Sequence, residues 1–339
     1  MRQFRPVPRR HLLGLAAAAL APLAAPSLAR AQAGAQPGAW PSRGSIRLIA
    51  QFPPGGLVDT VGRLMAPALS QALGQTVVVE NRAGAGGVIG TDYVSKQPAD
   101  GYTLLVSHAS VHVFSAATMP SLPFDPVTDF THIGMLVEAP NVLMVRADSP
   151  FRTLEDYLAA ARSRPVHYGS SGIGSAPHLL GAMMSHEARL PNLEHVPYRG
   201  SAPALQDLMA GQIESMFDPI TTNVQMMKDG TLRCLGVSSP ARLPAFPNVP
   251  TFAEQGFAQL TSAQWLGLSA PRNLPAPIAE RLTGLVPALM ARPELRQRLE
   301  ELQTLPRSTP VLGSDFTALM REQIASWTAV ARQFNIVVT

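Results

Sequence analysis

The spacing of apolar positions changes several times along the chain, and each change marks a new element. Residues 46–51 are a short apolar run of β type. From Leu57 the apolar residues Val58, Val61, Leu64, Met65 and Leu69 recur at helical spacing. Pro67 lies inside that pattern and predicts a kink or break near Ala66, because proline removes an intrahelical hydrogen bond. Gly74 is placed to end the segment in a left-handed turn. Further β-type runs fall at 76–80, 102–107 and 131–137. Strands alternating with helices predict an α/β fold with mostly parallel sheet flanked by helices.

The second part repeats the scheme. Residues 141–146 read as a strand. Thr153-Leu154-Glu155-Asp156 resembles a capping box opening a helix to Arg162. Residues 166–168 lead into a helix predicted from Ala176 to about Glu187, with Ser175 as N-cap and Pro177 tolerated in the first turn. Ser201 is expected to cap another helix that stops at Gly211. Short strands are predicted at 214–217, 232–237 and 265–270, with an ordered, proline-rich connection over 239–261. The C-terminal portion is helical, ending with a helix from 314 to about 334. This order suits two lobes, residues 45–140 with 263–339, and residues 141–262. The chain would cross between them near 138–141 and again near 262–265.

The two ends change how the charge is read. Arg2, Arg5, Arg9 and Arg10, an apolar stretch over 12–25 and the small-x-small site Ala29-Arg30-Ala31 form an export signal over 1–31. Arg9-Arg10 fits either a twin-arginine signal or an ordinary one with adjacent arginines. Residues 32–44 read as a flexible lead-in. The whole chain has 27 Lys and Arg against 23 Asp and Glu. Five arginines leave with the signal, so the remaining 22 basic groups face 23 acids, a net of −1. The basic balance is therefore no nucleic-acid or membrane footprint. Cys234, the single cysteine, excludes an internal disulfide and a cysteine-based metal cluster. No cofactor, metal or nucleic-acid partner is expected, and a monomer free of the membrane is.

Two glycine loops carry the candidate chemistry. Each follows a strand and opens a helix, where unpaired N–H groups and the helix dipole make an anion site. In the first, Pro54, Gly55 and Gly56 allow close ligand approach, and Asp59 is placed to receive an amine, hydroxyl or water. A tight turn explains the same glycines. In the second, Ser170, Ser171, Gly172, Gly174 and Ser175 suggest an anion cradle with His178 on the first helical turn. The loop has neither the Gly-Lys-Ser/Thr of a phosphate-binding loop nor a Gly-x-Ser-x-Gly elbow, since Ile173 stands where the last glycine should be. Gly84 and Gly86 likewise lack the third glycine of a dinucleotide loop. Ser107 and His108 end a strand, where open α/β sheets bind ligands. Asp218 points to the same cleft if its strand is parallel to its neighbours, and is a turn residue otherwise. Arg199 is either a carboxylate partner or a surface residue.

Taken in order, these motifs resemble a known family. Phe52-Pro53-Pro54-Gly55-Gly56 with Asp59 and Arg63 comes first, then Val79-Glu80-Asn81-Arg82-Ala83-Gly84-Ala85-Gly86-Gly87 and Pro98-Ala99-Asp100-Gly101-Tyr102-Thr103-Leu104. Gly172-Ile173-Gly174-Ser175 with His178-Leu179, Val196-Pro197-Tyr198-Arg199-Gly200 and Pro247-Asn248-Val249-Pro250-Thr251 follow. The chain resembles the periplasmic receptors of tripartite tricarboxylate transporters, the Bug family, from about Ile46 to its end. The resemblance implies a two-lobed, type II periplasmic-binding fold that closes on a carboxylate or dicarboxylate and presents it to membrane permease subunits. It carries the ligand-binding role to the Pro54–Asp59 loop, Ser107-His108, the Ser170–His178 loop and Asp218. Pro67, Leu57 and Val58 depart from the family pattern. Two other readings stay open: a receptor that presents ligand to a sensor, and an exported hydrolase using Ser107 or Ser171 with a histidine.

Overall fold

The first apolar run forms β1 (Ile46–Ala50), and the helical pattern after it forms α1 (Leu57–Leu73). The computed structural model describes residues 40–119, 121–304 and 309–333. The export signal expected over 1–31, the lead-in up to 39 and the last residues of the C-terminal helix lie outside the described residues. The break expected at Pro67 does not occur, and α1 runs through it. Pro67 and Arg63, one turn earlier, are both exposed. The carbonyl that proline leaves without a donor therefore lies on the water-facing side of the helix. Gly74 ends α1 with φ +69°, as the sequence predicts.

The chain continues through β2 (Val77–Asn81), α2 (Val88–Ser95) and β3 (Thr103–His108). A wide helical turn, Ser110–Ser115, then runs into α3 (Ala116–Thr118). The strands expected at 131–137 and 141–146 are one 17-residue strand, β4 (Phe130–Arg146). It pairs with β9 as far as Pro140 and with other strands from Asn141 on. Proline has no N–H for the ladder, so the partner changes there while the backbone stays extended.

Next come α4 (Leu154–Ser163), opened by the predicted Thr153–Asp156 capping box, then β5 (Val166–Ser170) and α5 (Ala176–Glu187). The edge strand β6 (Leu193–Pro197) has no alternating pattern to announce it. It leads to α6 (Ser201–Met209), β7 (Ser215–Pro219), α7 (Val224–Lys228) and β8 (Leu232–Val237). The last elements are β9 (Ala263–Pro271), α8 (Ala276–Met290), α9 (Pro293–Glu301) and α10 (Gly313–Gln333). Ser201 does not cap α6. Gly200 holds the N-cap position and the Ser201 hydroxyl bonds Asp218 instead.

The sheet order is β2-β1-β3-β9-β4-β7-β5-β6, with β8 also on β4. β1 lies parallel to β2 and β3, and β5 parallel to β6 and β7. β4 and β9 run antiparallel to their partners and join these two parallel blocks into one mixed sheet. Ile46, Leu48, Leu104, Val61 and Met65 are almost fully buried between the first block and α1. Each such side chain contributes about 1.5–3 kcal/mol relative to exposure. Tyr157, Tyr168, Leu179 and Met183 do the same for the second block. This packing brings the carboxyl ends of the two parallel blocks to face each other across the crossing strands.

Candidate functional site

β1 ends in a loop that Asp59 ties down. Gly55 takes φ +85° and its N–H donates to Asp59 Oδ2 at 2.9 Å. The same carboxylate accepts from Arg63 at 2.9 Å and from Asn81 Nδ2 at 2.9 Å. Burial opposes ionisation of Asp59, but the bonds from Arg63, Gly55 and Asn81 outweigh it and hold the carboxyl below its usual range. The expectation that Asp59 meets a ligand is therefore corrected: it is buried and its oxygens are committed to the loop. Pro54 and Gly55 are exposed at the outside of the turn. Gly56, the N-cap of α1, has no side chain capping it, so the helix N-terminus beside it stays open.

The second glycine loop behaves differently. Gly172 N–H donates to Ser170 Oγ, Gly174 N–H to His178 Nδ1, and Ser175 N–H to the Gly172 carbonyl. Ala176 N–H reaches Ser110 Oγ at 3.3 Å, and the Ser175 hydroxyl caps His178 N–H at 3.4 Å. The cradle expected from Gly172, Gly174 and Ser175 thus has its donors spent inside the protein. Ser170 is fully buried and bonds His195 Nε2 at 2.7 Å. His178 stacks on the His195 ring at 4.1 Å. Burial pushes His178 down to about 4, and burial with the neighbouring His178 pushes His195 down to about 3. Of this loop, Ser171 lines the cleft.

The helix that faces α1 is α6. Its N-cap, Gly200, sits at φ +132° with no side-chain cap. A Cβ at Gly200 would stand 2.7 Å from Pro53 Cδ. Gly86 likewise approaches from the first block, where a Cβ would stand 2.9 Å from the Ile173 carbonyl oxygen. These contacts mean that the two blocks are shut against each other.

Between them lies a cavity lined by Gly56, Leu57 and His108 on one side, Ser171 and Ser201 on the other, and Gln264 at the crossing. Its free volume is about 20 Å³, and roughly 10–15 Å³ holds one water. His108 is 4% exposed and packs edge-on against Phe52 at 5.5 Å. Neither of its ring nitrogens has a partner among the described residues. Burial pushes His108 down to about 3, so at neutral pH one nitrogen donates and the other accepts. Gln264 takes a bond from Ser110 Oγ and gives one to Asn141, which fixes the two crossing strands to each other.

Two expected residues sit behind this wall. Ser107 is buried in β3 and accepts from Ser269 Oγ at 2.9 Å. Asp218 is fully buried and accepts from Ser201 Oγ at 2.5 Å, Thr222 Oγ1 at 2.6 Å and Asn223 Nδ2 at 2.9 Å. Burial pushes its carboxyl up to about 6 against the pull of those bonds. The strand β7 carries Asp218 to the cleft end of the sheet, as its parallel pairing with β5 requires, but Ser201 covers it. Sequence reasoning missed Ser201 and Gln264 as cleft residues; the Ser201 position was legible only as a helix start. A larger concavity of about 370 Å³ opens beside the cleft, with Met119, Gly172, Ile173, Tyr198 and the exposed Arg199 on its walls. It has more room than the small cavity. Neither Ser107 nor Ser171 is hydrogen-bonded to a histidine. Among the described residues no cluster of three His, Cys, Asp or Glu side chains gathers to hold a metal, and no helix is long and apolar enough to cross a membrane.

Comparison with known proteins gives one family and one fold. The tripartite tricarboxylate transporter family receptor profile matches residues 61–336. The periplasmic binding protein BugD superposes with a TM-score of 0.83 at 29% identity, over 87% of this chain and 99% of BugD. MatC from Rhodopseudomonas palustris, solved with bound malate, gives 0.80 at 30% identity over 84% of this chain and 98% of MatC. A second R. palustris protein, solved with adipate, gives 0.83 at 32% identity over 88% of this chain and 99% of its own. The α/β architecture with a mixed sheet and flanking helices is that of these periplasmic binding proteins.

Proposed function

Since the chain belongs to the tripartite tricarboxylate transporter receptor family, whose members are solute-binding receptors of the periplasm, we propose that its cleft captures a small carboxylate-bearing solute between two lobes. The lobes are residues 45–140 with 263–339, and residues 141–262. They turn about the crossing strands near Pro140–Asn141 and Ser262–Gln264, where Gln264 and Asn141 are bonded to each other. The carboxylate sits at the open N-termini of α1 and α6, with Gly56, His108 and Ser171 around it, and Ser201 lines the cavity beside it. Gly172, Gly174, Ser175, Ser170 and His178 shape the wall behind Ser171. Asp59, Ser107 and Asp218 hold contact residues in place.

One observation carries this reading: two uncapped helix N-termini and an imidazole without a partner among the described residues line the same small cavity. Helix N-termini favour negative charge, and excluding water strengthens the attraction. The malate and adipate bound by two relatives are dicarboxylates, which fits the same chemistry. Closure shifts an open–closed equilibrium, and the closed form is what the permease subunits recognise. Export by an ordinary or a twin-arginine signal delivers the protein to the periplasm. The receptor acts as a monomer and without turnover; the serine-hydrolase reading loses ground because neither Ser107 nor Ser171 is hydrogen-bonded to a histidine among the described residues.

A thermal-shift screen of residues 32–339 against mono-, di- and tricarboxylates tests the proposal, followed by calorimetric titration. A ligand at 100 times its Kd adds about 2.7 kcal/mol of stability. If no carboxylate raises the melting temperature, the reading is wrong.

A further inference from the structure

Ser201 has one hydrogen to give, and the structure shows where it goes. Its Oγ donates to Asp218 Oδ1 at 2.5 Å. Asp218 is fully buried, and its other oxygen already receives Thr222 Oγ1 and Asn223 Nδ2. All three neighbours donate to it, so the ionised carboxylate at pH 8 holds the Ser201 hydrogen. What Ser201 then turns to the cleft is a pair of lone pairs. A serine in an anion site ordinarily donates; this one is fixed as an acceptor. A bare carboxylate placed against it would meet like partial charge.

We infer that Ser201, fixed by Asp218, reads a hydrogen-bond donor on the solute, so that the receptor prefers carboxylates bearing a hydroxyl or ammonium group over counterparts with only hydrogen there. The inference rests on the carboxylate-receptor reading above and sharpens it. The carboxylate goes to the helix N-termini of α1 and α6, and the donor goes to Ser201 Oγ. Gln264 is less open to that donor, because its amide oxygen already accepts from Ser110. Asp218 is a positioning residue, since Ser201 stands between it and the cavity.

The test is calorimetric binding at pH 8 of matched acids with three to six carbons, each carrying hydrogen, hydroxyl, ammonium or oxo oxygen at carbon 2; succinate, malate, aspartate and oxaloacetate are the four-carbon set. One hydrogen bond gained or left unmade predicts roughly a tenfold preference of hydroxy and amino acids over the unsubstituted acid. In Asp218→Asn, Thr222 and Asn223 keep the amide oxygen at the Oδ2 position. The amide NH₂ then donates to Ser201, whose hydrogen turns to the cleft. The order should invert, with the oxo acid gaining about tenfold over the hydroxy acid. Ser201→Ala removes only a hydroxyl and should level the series. Matched pairs that bind the wild type within twofold of one another overturn the inference, as does a Ser201→Ala variant that keeps the wild-type preference. Failure of every acid to bind the wild type overturns instead the carboxylate reading on which it rests.

Discussion

Gly200 offers a direct way to ask whether the shut cleft is the ligand-bound form. Its Cα faces the Pro53 ring, and a Cβ would stand 2.7 Å from Cδ, 2.9 Å from Cγ and 3.8 Å from Cβ of that proline. Two penalties follow from Gly200→Ala, and they are separable. The first is backbone strain, because φ +132° is almost closed to L-residues; it costs about 1–3 kcal/mol and is present whether the cleft is open or shut. The second is the clash with Pro53, about 1–3 kcal/mol for overpacking, and it exists only when the cleft is shut. Affinity should therefore fall roughly 5- to 150-fold, since only the second penalty separates the two states. The melting temperature falls through the first. Pro53→Ala removes Cγ and Cδ and leaves a Cβ at ordinary contact distance. The double variant should then recover ligand affinity while keeping the lowered melting temperature. Calorimetric titration of all four proteins closes a double-mutant cycle, with an expected coupling of about 1–3 kcal/mol. If Gly200→Ala lowers the melting temperature but leaves Kd unchanged, the Gly200–Pro53 contact does not belong to the bound state.

Three further outcomes are expected. Asp59→Asn should destabilise the protein by roughly 1–3 kcal/mol at pH 7 in urea unfolding. The Asp59 carboxyl lies below its usual 3.8 in the folded chain, so this contribution is full above 3.8 and is lost as pH falls from there through the lower folded value; a gap that does not narrow as pH is lowered below 3.8 would refute the loop-anchor role. Asp218 has the opposite sign: with its carboxyl raised to about 6, its contribution is full below about pH 4 and is lost as pH rises through 6. Asp218→Asn, which does not titrate, should gain on the wild type by on the order of 3 kcal/mol between pH 4 and 7, and a flat difference would contradict the burial argument. His108→Leu should raise the shut fraction of the unliganded protein, seen as a smaller radius of gyration in X-ray scattering, and should weaken carboxylate binding. An unchanged radius with unchanged affinity would remove His108 from the site.

The fold was largely legible because its elements rest on local patterns. The 3.6-residue spacing from Val58 to Leu69 gave α1, and the Thr153–Asp156 box gave the start of α4. β4 was misjudged because Pro140 reads locally as a strand end, whereas the structure uses it only to change pairing partners. β6 was missed because an edge strand of Leu193-Glu194-His195-Val196-Pro197 has no buried stripe to reveal it. The site was half legible. Composition located both glycine loops at strand ends, and it singled out Gly56, His108 and Ser171. It could not say which N–H groups had internal partners. Ser110, which takes Ala176 N–H, lies in the wide turn after β3, far away in the sequence. Nor could it say that Gly200 would meet Pro53, since that contact exists only once both blocks have folded.

The groups left without partners explain why such a cleft should wait for its solute. In the shut form His108 is buried and neither ring nitrogen has a partner among the described residues. Each unsatisfied buried group costs about 1–3 kcal/mol. Opening the cleft hydrates them, so an empty receptor lowers its free energy by opening. On the proposed reading a bound carboxylate accepts from the donor nitrogen of His108 at the α1 and α6 N-termini, which lowers that penalty in the shut form. A difference of about 1–3 kcal/mol between these cases changes the open-to-shut ratio by roughly 5- to 150-fold. The polar atoms that appear wasted in the folded chain are thus the ones that make closure depend on occupancy. A permease that recognises only the shut form would then meet mostly loaded receptors.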